Sequence, residues 1–198
     1  QEHIKKTQRI MASAGLSLEA IEIEGLSLVR SLVGTDPTPT AIVDVGSRST
    51  AIVLVENGLP QYMRQSDFAG SSLTQALSSS LNINPLRAEE LKRERGIAGT
   101  GPNYELSTIM LPFVDAILSE VRRTEFDYHN QFPNTRKIER VILAGGGANL
   151  EGFDRYAKDQ LGIPVVIASP FARLAYPGEI EPIVGSLGGP LSVAIGLA

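Results

Sequence analysis

The first chemistry in this chain lies in the run Asp44-Val45-Gly46-Ser47-Arg48-Ser49-Thr50, which ends one apolar stretch and opens the next. Gly46 lets the backbone approach an anion. The N–H groups and hydroxyls of Ser47, Ser49 and Thr50 can donate to phosphate oxygens, and Asp44 can hold water bound to Mg²⁺. A plain hairpin turn whose strand-end aspartate accepts backbone N–H groups would use the same residues, so the run alone does not decide. A second run, Gly145-Gly146-Gly147-Ala148-Asn149-Leu150, separates an apolar segment from a helical pattern. There the free N–H groups of a helix start can meet an anion, and three glycines admit a flat ring against the backbone. It is neither a P-loop nor the dinucleotide fingerprint, and a tight strand-to-helix turn has the same composition. The third group is Glu89 and Lys92 in Ala88-Glu89-Glu90-Leu91-Lys92. Three residues apart on a helix, they can bind a ribose and flank a purine, or form a solvated ion-paired face worth about 0.2–0.5 kcal/mol per pair.

The elements that must position these groups follow from pattern. Ile4, Thr7, Ile10, Met11 and Ala14 have helical spacing that Gly15 would end, and Leu18–Glu24 alternates as a half-buried strand. A short apolar helix is predicted from Gly25 to about Val33, with a Gly/Pro loop from Gly34 to Thr40. Ala41–Asp67 reads as a three-stranded antiparallel meander turning at Gly46–Ser49 and at Asn57-Gly58, the latter a type I′ signal. Two helices follow, Ser71–Leu81 and one opening at Asn84-Pro85 and ending at Gly96. Gly96–Asn103 is predicted as a loop, and Ile109, Phe113, Ile117 and Val121 mark a helix within Tyr104–Gln131. Pro112 predicts either a kink there or a start near Leu111. A buried strand Ile138–Ala144, the glycines, a helix Leu150–Leu161 and a strand Val165–Ile167 complete an α/β unit.

Composition narrows the function classes. The 198 residues carry a net charge of −4, which argues against a nucleic-acid-binding surface. Absence of cysteine removes disulfides, thiolate metal sites and cysteine nucleophiles, and suits a reducing compartment. With two histidines, His3 and His129, a zinc enzyme is not expected. QEHIKKTQRI lacks a signal-peptide pattern, so a cytoplasmic location is expected. The uncharged stretch Pro182–Ala198 reads as too short and too interrupted by four glycines and Pro190 to span a bilayer.

Taken in order, strand-Asp-Gly-turn-strand, the Ala-Glu-x-x-Lys helix and strand-Gly-Gly-Gly-helix resemble the second half of the actin-like ATPase superfamily. That resemblance implies an α/β, ribonuclease-H-like fold. AIVDVGSRSTAIVLVENGLPQYMR, AEELKRERG, VILAGGGANLEGFDRYAKDQLGIPVVIASPF and the closing VAIGLA look most like the PilM family of type IV pilus assembly, over essentially the whole chain. FtsA of cell division is also similar, but Gly-Gly-Gly-Ala-x-Leu-x-Gly-Phe followed by Leu-Gly-Ile-Pro-Val fits PilM better.

The resemblance implies ATP and Mg²⁺ as ligands, with Asp44 near the metal, and Gly46, Ser47 and Thr50 at the phosphates. Glu89 and Lys92 would then lie at the ribose and base, with Gly145, Gly146 and Gly147 beside the nucleoside. Glu24 falls where the superfamily often orients the attacking water, although an exposed strand-end carboxylate is the simpler alternative. No first phosphate loop is found between Gln1 and Ser31. Residues 1–33 are therefore expected to be the tail of a preceding subdomain with a connecting strand and helix, and 34–198 the nucleotide-binding half. Such a half is expected to bind ATP weakly and to be a poor ATPase, since phosphoryl transfer needs charge stabilisation from both sides. The family implies a PilN-like cytoplasmic tail and other pilus platform proteins as partners, with membrane association indirect and self-association open. An FtsA-like division protein and a small-molecule kinase of the same superfamily are the alternative readings.

Overall fold

A computed structural model describes residues 2–97 and 104–198. The runs TAIVDV, TAIVLVE and RVILA, apolar at nearly every position, become the three inner strands of a five-stranded sheet, where both faces are covered. These are β1 (Thr40–Val45), β2 (Thr50–Glu56) and β4 (Arg140–Ala144), flanked by β3 (Leu59–Ser66) and β5 (Val165–Ile167) in the order β3-β2-β1-β4-β5. β1 pairs antiparallel with β2 and parallel with β4, placing the ends of β1 and β4 side by side at Asp44 and Ala144. The Asn57-Gly58 turn has φ of 54° and 71°, as a type I′ hairpin requires.

Alternation along the strands divides the core in two. Ala41, Val43 and Val45 of β1 join Ile52, Leu54, Val141 and Leu143 on one face. That face is covered by α3 (Gly70–Leu81), α4 (Pro85–Arg95), α5 (Tyr104–Gln131) and α6 (Phe153–Leu161). Ile42, Val53, Val55, Ile142 and Ala144 form the other face against α2 (Glu24–Leu32), and α7 (Glu181–Leu197) packs on α2. Asn84 caps α4 by accepting from Arg87 N at 2.8 Å, as Asn-Pro at a helix entry predicts.

Several expectations are corrected. Leu18–Glu24 is not a strand: it lies beside neither edge of the sheet, leaving Ile21 and Ile23 exposed, and Glu24 opens α2. α5 does not start near Leu111: it runs as one helix through Pro112 from Tyr104, held by the buried Met110, Val114, Ile117, Leu118 and Val121. The glycine run does not open α6. It forms a short 3₁₀ turn, Gly146–Asn149, and α6 begins at Phe153 after Gly152 at φ 84°. The closing segment is one helix through its glycines and Pro190, and Gly178–Leu197, at 20 residues and a mean hydropathy of 1.4, is long and apolar enough to cross a membrane. Here it is docked: Gly188, Gly189, Ser192 and Gly196 are its buried positions. α1 (Glu2–Ser13) matches the predicted first helix, ended by Gly15 at φ 71°. The loop predicted over Gly96–Asn103 lies, after Ile97, outside the described residues.

Candidate functional site

The Gly46–Ser49 turn between β1 and β2 is closed by Gly46 N donating to Ser49 O at 3.0 Å. The start of α3 is laid onto this turn: Gly70 N donates to Gly46 O at 3.0 Å and Ser71 N to Ser47 O at 2.9 Å. Thr50, expected at phosphates, is turned away. It is fully buried, and its hydroxyl donates to Phe68 O at 2.6 Å, tying β2 to the segment entering α3.

α3 and α4 are joined through Glu89 and Lys92. The Lys92 ammonium reaches Gly70 O at 3.1 Å, Thr74 Oγ1 at 2.9 Å and Glu89 Oε2 at 2.6 Å. Thr74 donates to Glu89 Oε2 at 2.5 Å, and Arg93 Nε donates to Glu89 Oε1 at 2.8 Å. Burial raises the Glu89 pKa, but the hydrogen bonds from Lys92, Thr74 and Arg93 outweigh it and hold the carboxyl at about 2. Glu89 is thus a fixed anion at any ordinary pH. Thr74, Gly70 and Arg93 also line the cavity and join this network, which spacing does not single out, because α3–α4 packing brings Thr74 and Gly70 to Glu89 and Lys92.

Across from this pair stand the glycines. Gly145 has φ 77°, donates its N–H to Gly189 O at 3.1 Å, and leaves no room for a side chain beside Asp44 and Val45. Gly147 lies against Val45, where a Cβ would come within 2.8 Å of the Val45 Cβ. Gly146 alone faces open space, with nothing within 4 Å of a Cβ built there. Asn149 Nδ2 donates to Ser186 O at 2.9 Å and ties the turn to α7.

Between the Gly46–Ser49 turn, the α3–α4 pair and the glycine turn lies a cavity of about 850 Å³, within the range of small-ligand sites. Its apolar wall is Val45, Leu73, Val114, Ile117, Leu150 and Phe153; Gly46, Ser47, Glu89, Lys92, Gly146 and Gly147 supply its polar and small-residue edge. Six of the ten residues singled out from sequence thus line one cavity. Asp44 and Gly145 sit beside that wall. The Asp44 carboxyl is pushed up to about 6, by burial first and by the charge of Glu24 second. Glu24 itself is exposed at the start of α2 and makes no part of the cavity wall. Among the described residues no cluster of three or more His, Cys, Asp or Glu side chains could hold a metal, so a divalent ion here would rest on Asp44, water and its own ligand.

The family model for type IV pilus assembly protein PilM matches residues 1–198. The chain belongs to the PilM family. A chain of the solved PilM-PilN type IV pilus biogenesis complex superposes with a TM-score of 0.82 at 22% identity, covering 98% of this chain and 56% of that one. MreB5 of Spiroplasma citri bound to AMPPNP superposes with a TM-score of 0.73 at 15% identity, over 98% of this chain and 62% of that one. Among curated proteins, cell division protein FtsA of Buchnera aphidicola subsp. Baizongia pistaciae is 25% identical over 193 residues, 84% of this chain and 46% of FtsA. The fold of this PilM-family chain is therefore that of the actin-like ATPases, and the chain spans about half the length of the relatives it matches.

Proposed function

We propose that this chain is the nucleotide-holding half of a PilM-like, actin-type scaffold of the type IV pilus inner-membrane platform. The observation that carries this reading is the single cavity formed where the Gly46–Ser47 turn, the Glu89–Lys92 helix pair and Gly146–Gly147 converge. Its volume suits a nucleoside, its open edge at Gly146 gives a flat ring close access to backbone, and Gly46 and Ser47 offer N–H and hydroxyl donors to phosphates. ATP is the ligand we assign, supported by the family and by an AMPPNP-bound relative of the same fold. Mg²⁺ would neutralise phosphate charge, with Asp44 the carboxylate in place to hold its water; one or two carboxylates suffice for this ion. Thr50 has no part in this assignment, and Glu24 is retained only as an acidic neighbour of Asp44.

In this reading residues 34–198 form the nucleotide half, and residues 1–33 the tail of a preceding subdomain with its connection. The nucleotide serves a scaffolding role that holds a PilN-like cytoplasmic tail, and the protein sits on the cytoplasmic side of the membrane through that partner. The solved PilM-PilN complex supports the partner, and the PilM family match over the whole chain, against an FtsA match over 84% of it, favours the pilus platform over the division site. Calorimetric titration of Mg-ATP into the full-length protein, with this 198-residue piece as control, tests the reading. Binding by the full-length protein and much weaker binding by the piece is the expected outcome. No binding by the full-length protein would leave the glycine turns purely structural.

A further inference from the structure

α5 runs on well past the nucleotide cavity. Ile117 is its last residue in the cavity wall, and Phe126 lies about 13 Å further along the helix axis. Phe126 is 65% exposed, more than any other aromatic side chain among the described residues. Around it the charges do not balance. Arg122 and Arg123 stand four and three positions before Phe126, on the same helix face. Lys137 is brought alongside from the following segment, because the next residue, Ile138, donates its N–H to the Glu125 carboxylate at 2.9 Å. The carboxylates of α5 from Asp115 onward are all engaged: Asp115 by the Tyr156 hydroxyl, Glu120 and Asp127 by Arg64, Glu125 by Ile138 N. The cations are held far less. The Arg123 side chain is 63% exposed and reaches only the shared Glu120, at 3.8 Å. Arg122 donates to the Gln160 carbonyl, which neutralises nothing, and the exposed Lys137 has no partner among the described residues. Beside Gln160 at the end of α6, Lys158 and Asp159 offset each other.

An aromatic ring standing out among unneutralised cations is complementary to an anionic bilayer surface. The ring projects from a helix, so a folded partner would need a pocket shaped to receive it, whereas a headgroup layer deforms around it. Aromatic rings settle at the level of the headgroups, and arginine and lysine stems lie along the apolar boundary while their charged ends reach anionic phosphates. Each such cation is worth about fivefold in membrane partition. Three cations and one ring make a weak contact by themselves. For a protein already tethered by a partner that is enough, because tethering makes the second contact intramolecular.

We infer that the α5 face carrying Arg122, Arg123 and Phe126, with Lys137 beside it, touches an anionic membrane surface directly, in addition to the tether through a PilN-like tail. This contact rests on the platform reading above, which brings the protein to a membrane. The test is sedimentation of the full-length protein, without PilN, with vesicles of equal parts phosphatidylglycerol and phosphatidylcholine and with vesicles of phosphatidylcholine alone. Binding to the anionic vesicles only, weakened by added salt, is expected. Phe126→Ala should weaken it about tenfold, and Arg123→Ala combined with Lys137→Ala about twentyfold. Both variants should keep the wild-type melting temperature, since these side chains are exposed. No binding to the anionic vesicles, equal binding to both kinds, or wild-type binding by the variants would overturn the membrane contact. Self-association without lipid that Phe126→Ala abolishes would mean that a second copy covers the ring, and would overturn it too. Titration of a peptide of the PilN cytoplasmic tail into the same protein separates the two readings. Tail binding without vesicle binding overturns the membrane contact and spares the platform; vesicle binding without tail binding supports the contact and removes the tether.

Discussion

The burial of Asp44, to which we assign a role at the metal, works against the fold that carries it. Burial and the Glu24 charge raise its pKa from 3.8 to about 6, so between those values the native state keeps a proton that the unfolded chain has released. Native protein binds more protons in that window, and stability must fall as pH rises through it. Below the window the cost is absent, and above about pH 6 it is complete. Asp44→Asn should therefore stabilise the protein at about pH 7.5 by on the order of 2 kcal/mol, with the gain vanishing near pH 4. The same substitution should lower Mg²⁺-dependent nucleotide affinity about tenfold or more. Thermal melts at the two pH values and calorimetry check the two halves; a variant that melts like the wild type at both would show that Asp44 is not charged against its surroundings.

The glycine turn is one element with two separable duties. Gly147 is small because Val45 is there, so Gly147→Ala should force β1 and the turn apart and cost about 1–3 kcal/mol. Gly146 meets nothing, and Gly146→Ala should leave stability within about 0.5 kcal/mol of the wild type. Its added methyl group points into the space assigned to the nucleoside, so affinity for Mg-ATP should fall in Gly146→Ala although the fold is untouched. Urea unfolding and titration of the two variants measure this. Nucleotide binding by Gly146→Ala at wild-type strength would place the ligand elsewhere. The α3–α4 pair follows the same logic: Lys92 joins the helices, and the surface that joining creates belongs to Glu89 and Arg93.

At the scale of the molecule, the sheet is enclosed from both sides, and α7 completes the second side by packing on α2. That packing is backbone against backbone: a side chain at Gly196 would run into the Ser27 carbonyl, and Arg30 Nε donates to Gly196 O at 2.8 Å across the same seam. Arg30 and Ser27 are themselves tied to Glu22. Gly196→Ala should thus separate the helices and destabilise the protein by about 2–3 kcal/mol, read as a lowered urea midpoint. An unchanged midpoint would mean that the α2–α7 seam does not contribute to stability. Docked in this way, a helix apolar enough to cross a membrane is held as part of an α/β domain.

What the sequence determined by itself is whatever depends on near neighbours in the chain. The doubly apolar runs at β1, β2 and β4, the Asn57-Gly58 hairpin, the Asn84 cap and the order of the three motifs are all local, and each is found where its residues place it. The likeness to the actin-like fold rests on that order. The tertiary structure decided everything that needs a partner from afar. Leu18–Glu24 alternates like a strand but has no strand beside it, and a ladder is not local. Pro112 allows a helix start near Leu111, yet the buried side chains on either side of it keep α5 one helix from Tyr104. Thr50 reads as a phosphate ligand, but its hydroxyl is taken by a carbonyl eighteen residues away. Lys92 and Arg93 are adjacent cations that spacing cannot rank. One is saturated by α3 and the other is left at the cavity, because a hydrogen-bond inventory closes only when the helices are packed.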